Sequence, residues 1–209
     1  MISRKMLSLL ICIVLSGLTL PAISNAEQAR LYPAAQRSSP KTEDRQRGMS
    51  QQESSMLHKF DDLKFSIECP AGYEAEKYET TISVVLSRGG DKKAFRPNIT
   101  ISSAPNSNPP IDLDRFFNLV LQNFLKDTDF SIVLAEKTKL GNKDVYQLLY
   151  KRKAAAKDRN DKVVSTKVLQ IYVVEPLRVY AMNYAAAESD FEGYLAVANR
   201  ILGTFKTLK

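Results

Sequence analysis

Four strand-like apolar runs follow one another in the second half of the chain, and they limit its fold more than any other feature. They cover residues 130–139, 143–152, 164–174 and 177–186. Gly141 and Asn142 supply a tight turn between the first two runs, and Pro176, which cannot donate to a sheet ladder, separates the last two. Connections of hairpin length favour antiparallel neighbours, because parallel strands need a long crossover. The pattern therefore predicts an antiparallel sheet.

The preceding part of the chain adds further strands. Residues 63–69 alternate apolar and polar side chains, and every second residue shares one face: Leu63, Phe65, Ile67 and Cys69. Shorter runs at 73–78, 82–86 and 98–102 also read as strands, and in the last of them Ile99 and Ile101 are expected to point inward. A glycine pair at 89–90 favours a loop after the run at 82–86.

Two amphipathic helices complete the pattern. Asp112 can cap the first helix, and Ser189 with Glu192 forms a capping box at the start of the second. The order strands, helix, strands, helix is typical of an α+β fold, in which an antiparallel β-sheet is sandwiched between helices. Apolar residues at three- and four-residue spacing form the two helix faces: Leu113, Phe116, Phe117, Val120, Leu121 and Phe124, then Phe191, Tyr194, Leu195, Ala198, Ile201, Leu202 and Phe205.

The first 26 residues have the organisation of a signal peptide. Arg4 and Lys5 precede an apolar segment at 7–20, and small residues at Ser24 and Ala26 precede a cleavage position. The apolar segment is short for a bilayer-spanning helix, which needs about 20 apolar residues. We therefore predict cleavage after Ala26 and a periplasmic or secreted protein; an uncleaved membrane anchor is the alternative.

Residues 27–57 contain few bulky apolar side chains and many Gln, Ser, Arg and Pro residues. A segment of this composition cannot bury enough surface to offset its ordering entropy, so it is predicted to be a disordered leader. The domain organisation predicted from the sequence is thus a signal peptide at 1–26, a leader at 27–57 and one domain at 58–209.

The formal charge of +7 falls to +5 once Arg4 and Lys5 are removed with the signal peptide. Most of this excess lies in residues 151–162, predicted to be a hairpin loop, which carry six cations and two carboxylates. Such a loop can contact an acidic envelope partner or an anionic membrane surface; the alternative is a solvated loop that only favours solubility. Nucleic acid is not an expected partner. The contact residues would be Lys151, Arg152, Lys153, Lys157, Arg159 and Lys162.

The sequence offers no recognisable catalytic, cofactor or metal-binding motif. A nucleophile elbow, a phosphate-binding glycine loop and a zinc-protease motif are all missing, and His58 is the only histidine. The lone mature cysteine, Cys69, reads as a buried small hydrophobe rather than a nucleophile. Acidic residues at 61–62 and at Asp112 and Asp114 read as turn and cap residues rather than cation ligands. Later-strand tyrosines could line a groove, but packing in the sheet explains them better: Tyr146, Tyr150, Tyr172, Tyr180 and Tyr184.

Both ends of the domain carry short motifs of a known family. An amphipathic strand enters a Pro-x-Gly-Tyr turn over residues 65–73, and the chain closes with a strand at 179–187, Phe191-x-x-Tyr194 and a Thr-Phe-Lys ending at 201–206. Over residues 60–208 the chain resembles the PsbP-like family, which includes photosystem II PsbP, its bacterial relatives and DcrB-type envelope proteins. The resemblance implies a sheet between helices, no established catalytic role, and an accessory or chaperone-like function. No chloroplast-type transit peptide or lipobox accompanies it.

Together these features predict an exported, non-enzymatic accessory or binding protein of the bacterial periplasm or envelope, which supports a larger complex and needs no cofactor. Two alternatives remain. One is an envelope hydrolase whose carboxylates are dispersed through the sequence, since such pairs need not be neighbours in the chain. The other is a peripheral protein that contacts the membrane surface through the basic segment.

Overall fold

The computed structural model describes residues 54–86, 95–157 and 163–209, with only the backbone described at 153–157 and Val163. The predicted signal peptide (1–26) lies outside these ranges, as do most of the predicted leader and the glycine pair at 89–90. The first strand begins at Ser55, so residues 55–57 belong to the folded domain and not to the leader. In the described part of the chain, neither helix has the length and apolar character required to traverse a bilayer.

Ten strands and two helices form the described part of the chain. The helices are α1 (Leu113–Phe124) and α2 (Phe191–Gly203). The strands are β1 (Ser55–Phe60), β2 (Phe65–Pro70), β3 (Ala75–Tyr78), β4 (Thr81–Val85), β5 (Asn98–Pro105), β6 (Phe130–Leu140), β7 (Lys143–Lys157), β8 (Val163–Val174), β9 (Arg178–Ala187) and β10 (Lys206–Thr207).

Seven strands form one large sheet in the order β3-β4-β5-β9-β8-β7-β6. Every neighbouring pair is antiparallel, as the hairpin-length connections predict. Gly141 adopts a φ of +61° in the β6–β7 turn, a conformation that glycine reaches without a Cβ clash. The pairing of β5 with β9 joins the early strands to the later ones, so the central strands have neighbours on both sides.

A smaller sheet, β1-β2-β10, lies against one face of the large sheet together with α2. Phe65 of β2 contacts Tyr180 of β9, and the two rings lie 6.0 Å apart between centroids. The hydroxyl of Tyr180 donates a 2.9 Å hydrogen bond to the carbonyl of Lys64, at the β1–β2 turn. These contacts fix the small sheet on the large one. The sequence predicts β2 but neither β1 nor β10.

The opposite face of the large sheet is covered by α1. Its buried residues Phe116, Phe117 and Phe124 pack on Tyr146, Tyr150 and Tyr172 of the sheet, whose side chains alternate with those facing α2. Asp112 caps α1 by accepting a 2.7 Å hydrogen bond from the backbone N–H of Arg115, as predicted. The two helices therefore lie on opposite faces of the antiparallel sheet, which confirms the predicted α+β sandwich.

The predicted capping box of the second helix does not form. The N-cap residue is Asp190 rather than Ser189, and its side chain makes no capping hydrogen bond. Ser189 is instead part of a turn that the Asp190 N–H closes by donating to the carbonyl of Ala187 at 2.9 Å. Glu192 accordingly pairs with Lys167 of β8, at 2.7 Å, and not with the helix start.

The basic segment is a strand over more of its length than predicted. β7 continues through Lys157, so Lys151, Arg152, Lys153 and Lys157 lie in the sheet and not in a loop. The pairing of β7 with β8 continues through this segment: Thr166 lies opposite Arg152, and after a register shift Val164 lies opposite Ala156. Such β-branched residues favour extended backbone. The remaining two cations of the set, Arg159 and Lys162, lie outside the described residues.

Candidate functional site

A row of uncharged polar side chains crosses the face of the large sheet on which α1 packs. Ser83 of β4 pairs with Thr100 of β5, Thr100 pairs with Asn183 of β9, and Asn183 pairs with Gln170 of β8. Directly opposed residues in antiparallel strands share a face, with Cβ atoms about 5 Å apart. The four residues therefore form one continuous line, which we call the polar row.

All four residues of the polar row are buried: Gln170 exposes 0% of its surface, Thr100 2%, Asn183 5% and Ser83 7%. The side-chain amide of Asn183 donates a 3.2 Å hydrogen bond to the hydroxyl of Thr100. The Oδ1 atom of Asn183 and both polar atoms of the Gln170 side chain have no hydrogen-bond partner within the described structure. Leaving a buried polar group unpaired costs about 1–3 kcal/mol, and native proteins leave few of them in this state.

The hydroxyl groups of Tyr150 and Tyr172, closer to α1, are also buried without a hydrogen-bond partner among the described residues. Tyr172 follows Gln170 by two residues on β8 and so shares its face, and Tyr150 lies on β7 diagonally across from Gln170. α1 fixes both rings, because Phe116 contacts Tyr172 at 5.5 Å and Phe124 contacts Tyr150 at 4.9 Å between centroids. We call the polar row with these two tyrosines the polar site.

The polar site is electrically neutral. Burial raises the pKa of both Tyr150 and Tyr172 far above that of a free tyrosine, so both phenols stay protonated at physiological pH. The other members carry only amide and hydroxyl groups. Such a set can donate and accept hydrogen bonds, but it supplies neither a general base nor an activated nucleophile. Hydrogen bonding is the chemistry that these groups offer.

The next row along the same strands is partly open to solvent. Val85, Asn98 and Ala185 lie opposite one another on β4, β5 and β9, and each is half-buried. Ala185 follows Asn183 by two residues and shares its face. Its methyl group is the smallest side chain that this position can carry apart from glycine. The partly exposed position nearest to Asn183 along β9 on this face is therefore Ala185.

The two cations of the predicted contact set whose side chains the structure describes, Lys151 and Arg152, lie on opposite faces of the large sheet. Lys151 points to the α2 side of the sheet and forms an ion pair with Glu188. Arg152 points to the α1 side, where its guanidinium lies 5.4 Å from the Phe130 ring centroid. Its positive charge lowers the pKa of Tyr150, but burial raises that pKa by more. Neighbouring strand residues alternate between faces, so this separation follows from the extension of β7. A contact role for the basic segment remains a prediction.

The acidic residues serve as turn, cap and ion-pair groups, as expected from their positions. Asp62 in the β1–β2 turn pairs with Lys77, whose ammonium lowers the pKa of the Asp62 carboxyl. Asp114 pairs with Lys137 at 2.8 Å, next to the cap formed by Asp112. Across residues 54–86, 95–157 and 163–209, no three His, Cys, Asp or Glu side chains gather in a way that could hold a metal ion.

Cys69 is fully buried on β2 with a free thiol, and burial raises the pKa of this thiol from 9.0 to about 11. His58 lies on the neighbouring strand, diagonal to Cys69, because Met56 is the residue that pairs directly with Cys69. A reactive cysteine needs a lowered pKa and access to solvent. Cys69 has neither, which supports its interpretation as a packing residue.

We expect the Cys69 thiol of the folded protein to resist a disulfide reagent at pH 8 and to react fully once the chain is unfolded in urea. Because the folded-state pKa is the higher one, the proton on this thiol stabilises the fold below about pH 9. That contribution is lost as the pH rises toward 11. Urea titrations of wild type and Cys69→Ala at pH 8 and pH 10.5 measure this contribution. Between pH 8 and pH 10.5 the free energy of unfolding should fall more for wild type than for Cys69→Ala. Rapid labelling of the folded protein would contradict this assignment.

The five tyrosines considered as a groove lining lie on both faces of the sheet. Tyr146, Tyr150 and Tyr172 face α1, whereas Tyr180 and Tyr184 face the small sheet and α2. Tyr184 donates a 2.6 Å hydrogen bond to the carbonyl of Phe191, and Tyr180 packs on Phe65. These contacts agree with the packing interpretation, and the five side chains do not line a common groove.

Sequence reasoning missed the polar row because alternation assigns each strand one inward face. In residues 98–102, Ile99 and Ile101 are inward as expected, yet Thr100 is also buried. A central strand covered on both faces hides its polar positions as well as its apolar ones. A usable signal was Gln170: it stands among Val168, Leu169, Ile171 and Tyr172, where a solvent-facing residue is not expected.

Comparisons with known proteins show the fold. No family model matches the chain, and no curated protein matches it. The solution structure of cyanobacterial PsbP (CyanoP) from Synechocystis sp. PCC 6803 is similar, with a TM-score of 0.50, 12% identity, and coverage of 78% of this chain and 97% of that one. LpqN, involved in cell envelope biogenesis of Mycobacterium tuberculosis, is similar with a TM-score of 0.51, 13% identity, and coverage of 76% and 87%. The chain therefore has the PsbP-like fold.

Proposed function

We propose that this chain is an exported, non-enzymatic accessory protein of the bacterial cell envelope and that it acts by binding. The observation that carries the proposal is the polar site, whose unpartnered side chains are amides and protonated phenols. Groups of this kind hold a ligand or a partner in place, whereas hydrolysis requires an acid, a base or a nucleophile in the site.

Two further observations support the envelope as the place of action. The order of charged, apolar and small residues over 1–26 is that of a signal peptide. The structural likeness to LpqN, a protein involved in cell envelope biogenesis, agrees with such a role at the level of the fold. Export brings the domain to the compartment in which an envelope partner would meet it.

The proposal is tested by complementation in a strain of the source bacterium that lacks this gene. We expect the deletion strain to become more sensitive to detergent, and the full chain to restore resistance. A chain without residues 2–26 should fail to restore it although the domain accumulates in the cytoplasm. Mass spectrometry of the periplasmic fraction should give a mature chain that begins at Glu27.

Two results would contradict this proposal. Equal complementation by the chain without residues 2–26 would place its action inside the cell. A hydrolase activity of the purified domain that is lost on substitution of one carboxylate, such as Asp114→Asn, would make it an enzyme with dispersed acids. Asp127→Asn is the matched control, since Asp127 lies in the turn after α1 and its side chain accepts from the N–H of Asp129 at 2.9 Å.

A further inference from the structure

We infer that the polar site binds an uncharged ligand with several hydroxyl groups, such as a sugar residue or a polyol. This inference rests on the proposed binding function and names the class of ligand. Its starting point is the geometry: five polar atoms on four side chains are buried, have no partner in the described structure and belong to one face of one sheet. They are the Gln170 Nε2 and Oε1, the Asn183 Oδ1 and the two phenol oxygens of Tyr150 and Tyr172.

The ligand is uncharged because the site provides no compensating charge. An ion taken from water into a buried site needs a charged partner or a dense set of hydrogen bonds to offset its lost hydration. No member of the site is a cation, and Arg152, on the same face, lies over the Phe130 ring two residues beyond Tyr150 on β7. A phosphate or carboxylate placed at Gln170 and Asn183 would therefore lack a countercharge.

The number and kind of unpartnered atoms favour hydroxyl groups. Gln170 offers donors and an acceptor side by side, Asn183 offers an acceptor, and each phenol offers both. A hydroxyl group also donates and accepts, so neighbouring hydroxyls of a sugar can satisfy this mixed set. A single amide group carries too few polar atoms to pair with all five.

Small side chains lie along the route of entry that this inference requires. Ala181 and Ala185 flank Asn183 on the same face of β9, and Ala185 is half-buried. A ligand that enters past Ala185 would reach Asn183 first and then Gln170 on the adjacent strand. An enlarged side chain at position 185 should close this route without removing any polar atom of the site.

The test follows the side-chain amide signals of Gln170 and Asn183 by nuclear magnetic resonance in the predicted mature chain, residues 27–209. The probes are methyl β-D-glucopyranoside, meso-erythritol, N-methylacetamide and sodium acetate. We expect saturable shifts of both amide signals with the two hydroxylated probes. Saturation by the glucoside alone identifies a sugar residue as the ligand, and saturation by erythritol as well identifies a broader polyol site. Amide or acetate binding with equal affinity would overturn the inference.

Two variants test the site itself. Gln170→Met keeps the size of the side chain and removes its polar atoms, so binding of the hydroxylated probe should weaken by about tenfold or more. Ala185→Leu should block binding while the site remains polar. Gln147→Met, the same substitution on the opposite face of neighbouring β7, should bind like wild type. Unchanged binding in both site variants would overturn the inference.

A site filled by water only gives a distinct result. In that case the Gln170 and Asn183 signals would not respond to any probe, and both would show exchange with water. This outcome would refute the inference that the site binds a hydroxylated ligand. It would not affect the proposed envelope function, which the complementation experiment tests separately. Gln170→Met should also raise the melting temperature of the free domain, since it removes an unpaired buried amide. A lower melting temperature would mean that Gln170 already has partners in the free protein, which also contradicts the inference.

Discussion

Replacing Phe65 with alanine should destabilise the domain by about 3–5 kcal/mol, the range typical of a buried aromatic truncated to a methyl group. Phe65 exposes 0% of its surface at the point where the small sheet meets the large one. Its ring centroid lies 5.2 Å from that of Phe60, 5.5 Å from that of Phe205 and 6.0 Å from that of Tyr180. These three rings come from β1, from the segment between α2 and β10, and from β9, so the cavity left by alanine would loosen the packing of all three.

Urea unfolding followed by circular dichroism measures this effect. A loss of this size approaches the total stability of a typical small domain, so part of the variant should be unfolded without urea. Leu125→Ala is the matched control, because Leu125 is 75% exposed at the end of α1 and should change the stability by less than about 0.5 kcal/mol. A Phe65→Ala domain as stable as the control would mean that the small sheet is not fixed through this ring.

The strands and helices that the sequence predicts are those with a strong local signal. β8 and β9 are largely apolar runs of ten or more residues, and α1 presents one apolar stripe, so local chemistry determines each of them. β1 and β10 were missed for a physical reason. β10 has only two residues, too few to form a pattern. β1 is stabilised by its pairing with β2, and the sequence of β1 alone does not indicate that pairing.

The candidate site was not predictable in the same way. Its members lie on β4, β5, β7, β8 and β9, and only the sheet order brings them together on one face. Alternation shows which residues of a strand share a face, but not whether something covers that face. Thr100 and Ser102 look solvent-facing in the sequence and are buried in the fold because the large sheet is covered on both sides.

Asn106→Ala is the second substitution with a large expected effect, about 3 kcal/mol of lost stability. Asn106 is buried at the start of the segment that leads into α1. Its amide donates to the carbonyls of Ile111 and Glu175, at 3.1 and 2.9 Å. Its Oδ1 accepts from the N–H groups of Ser107 and Ile111, at 2.7 and 3.3 Å. Alanine would take these hydrogen bonds away from backbone groups that the fold has removed from water.

Thermal and urea unfolding of Asn106→Ala should be compared with Asn123→Ala. Asn123 also uses its amide, which donates to the carbonyl of Leu119 at 2.7 Å, but it does so within α1, where alanine is the better helix former. We expect the control to stay within about 0.5 kcal/mol of wild type. Asn106→Asp should fall between wild type and the alanine variant, because a carboxylate keeps both acceptor contacts and loses both donor contacts. Equal stability of the two alanine variants would refute a bridging role for Asn106.

The same substitution connects stability to the candidate site. Asn106 ties the segment before α1 to Glu175 after β8, and Tyr172, three residues before Glu175, packs on Phe116 of α1. Loosening this connection should let α1 shift on the sheet and expose the phenols of Tyr150 and Tyr172 to water. Their raised pKa values depend on burial, so the ultraviolet titration of these tyrosines should move toward that of free tyrosine in Asn106→Ala but not in Asn123→Ala. A lower stability with an unchanged tyrosine titration would show instead that α1 stays packed over Tyr150 and Tyr172 without the hydrogen bonds of Asn106.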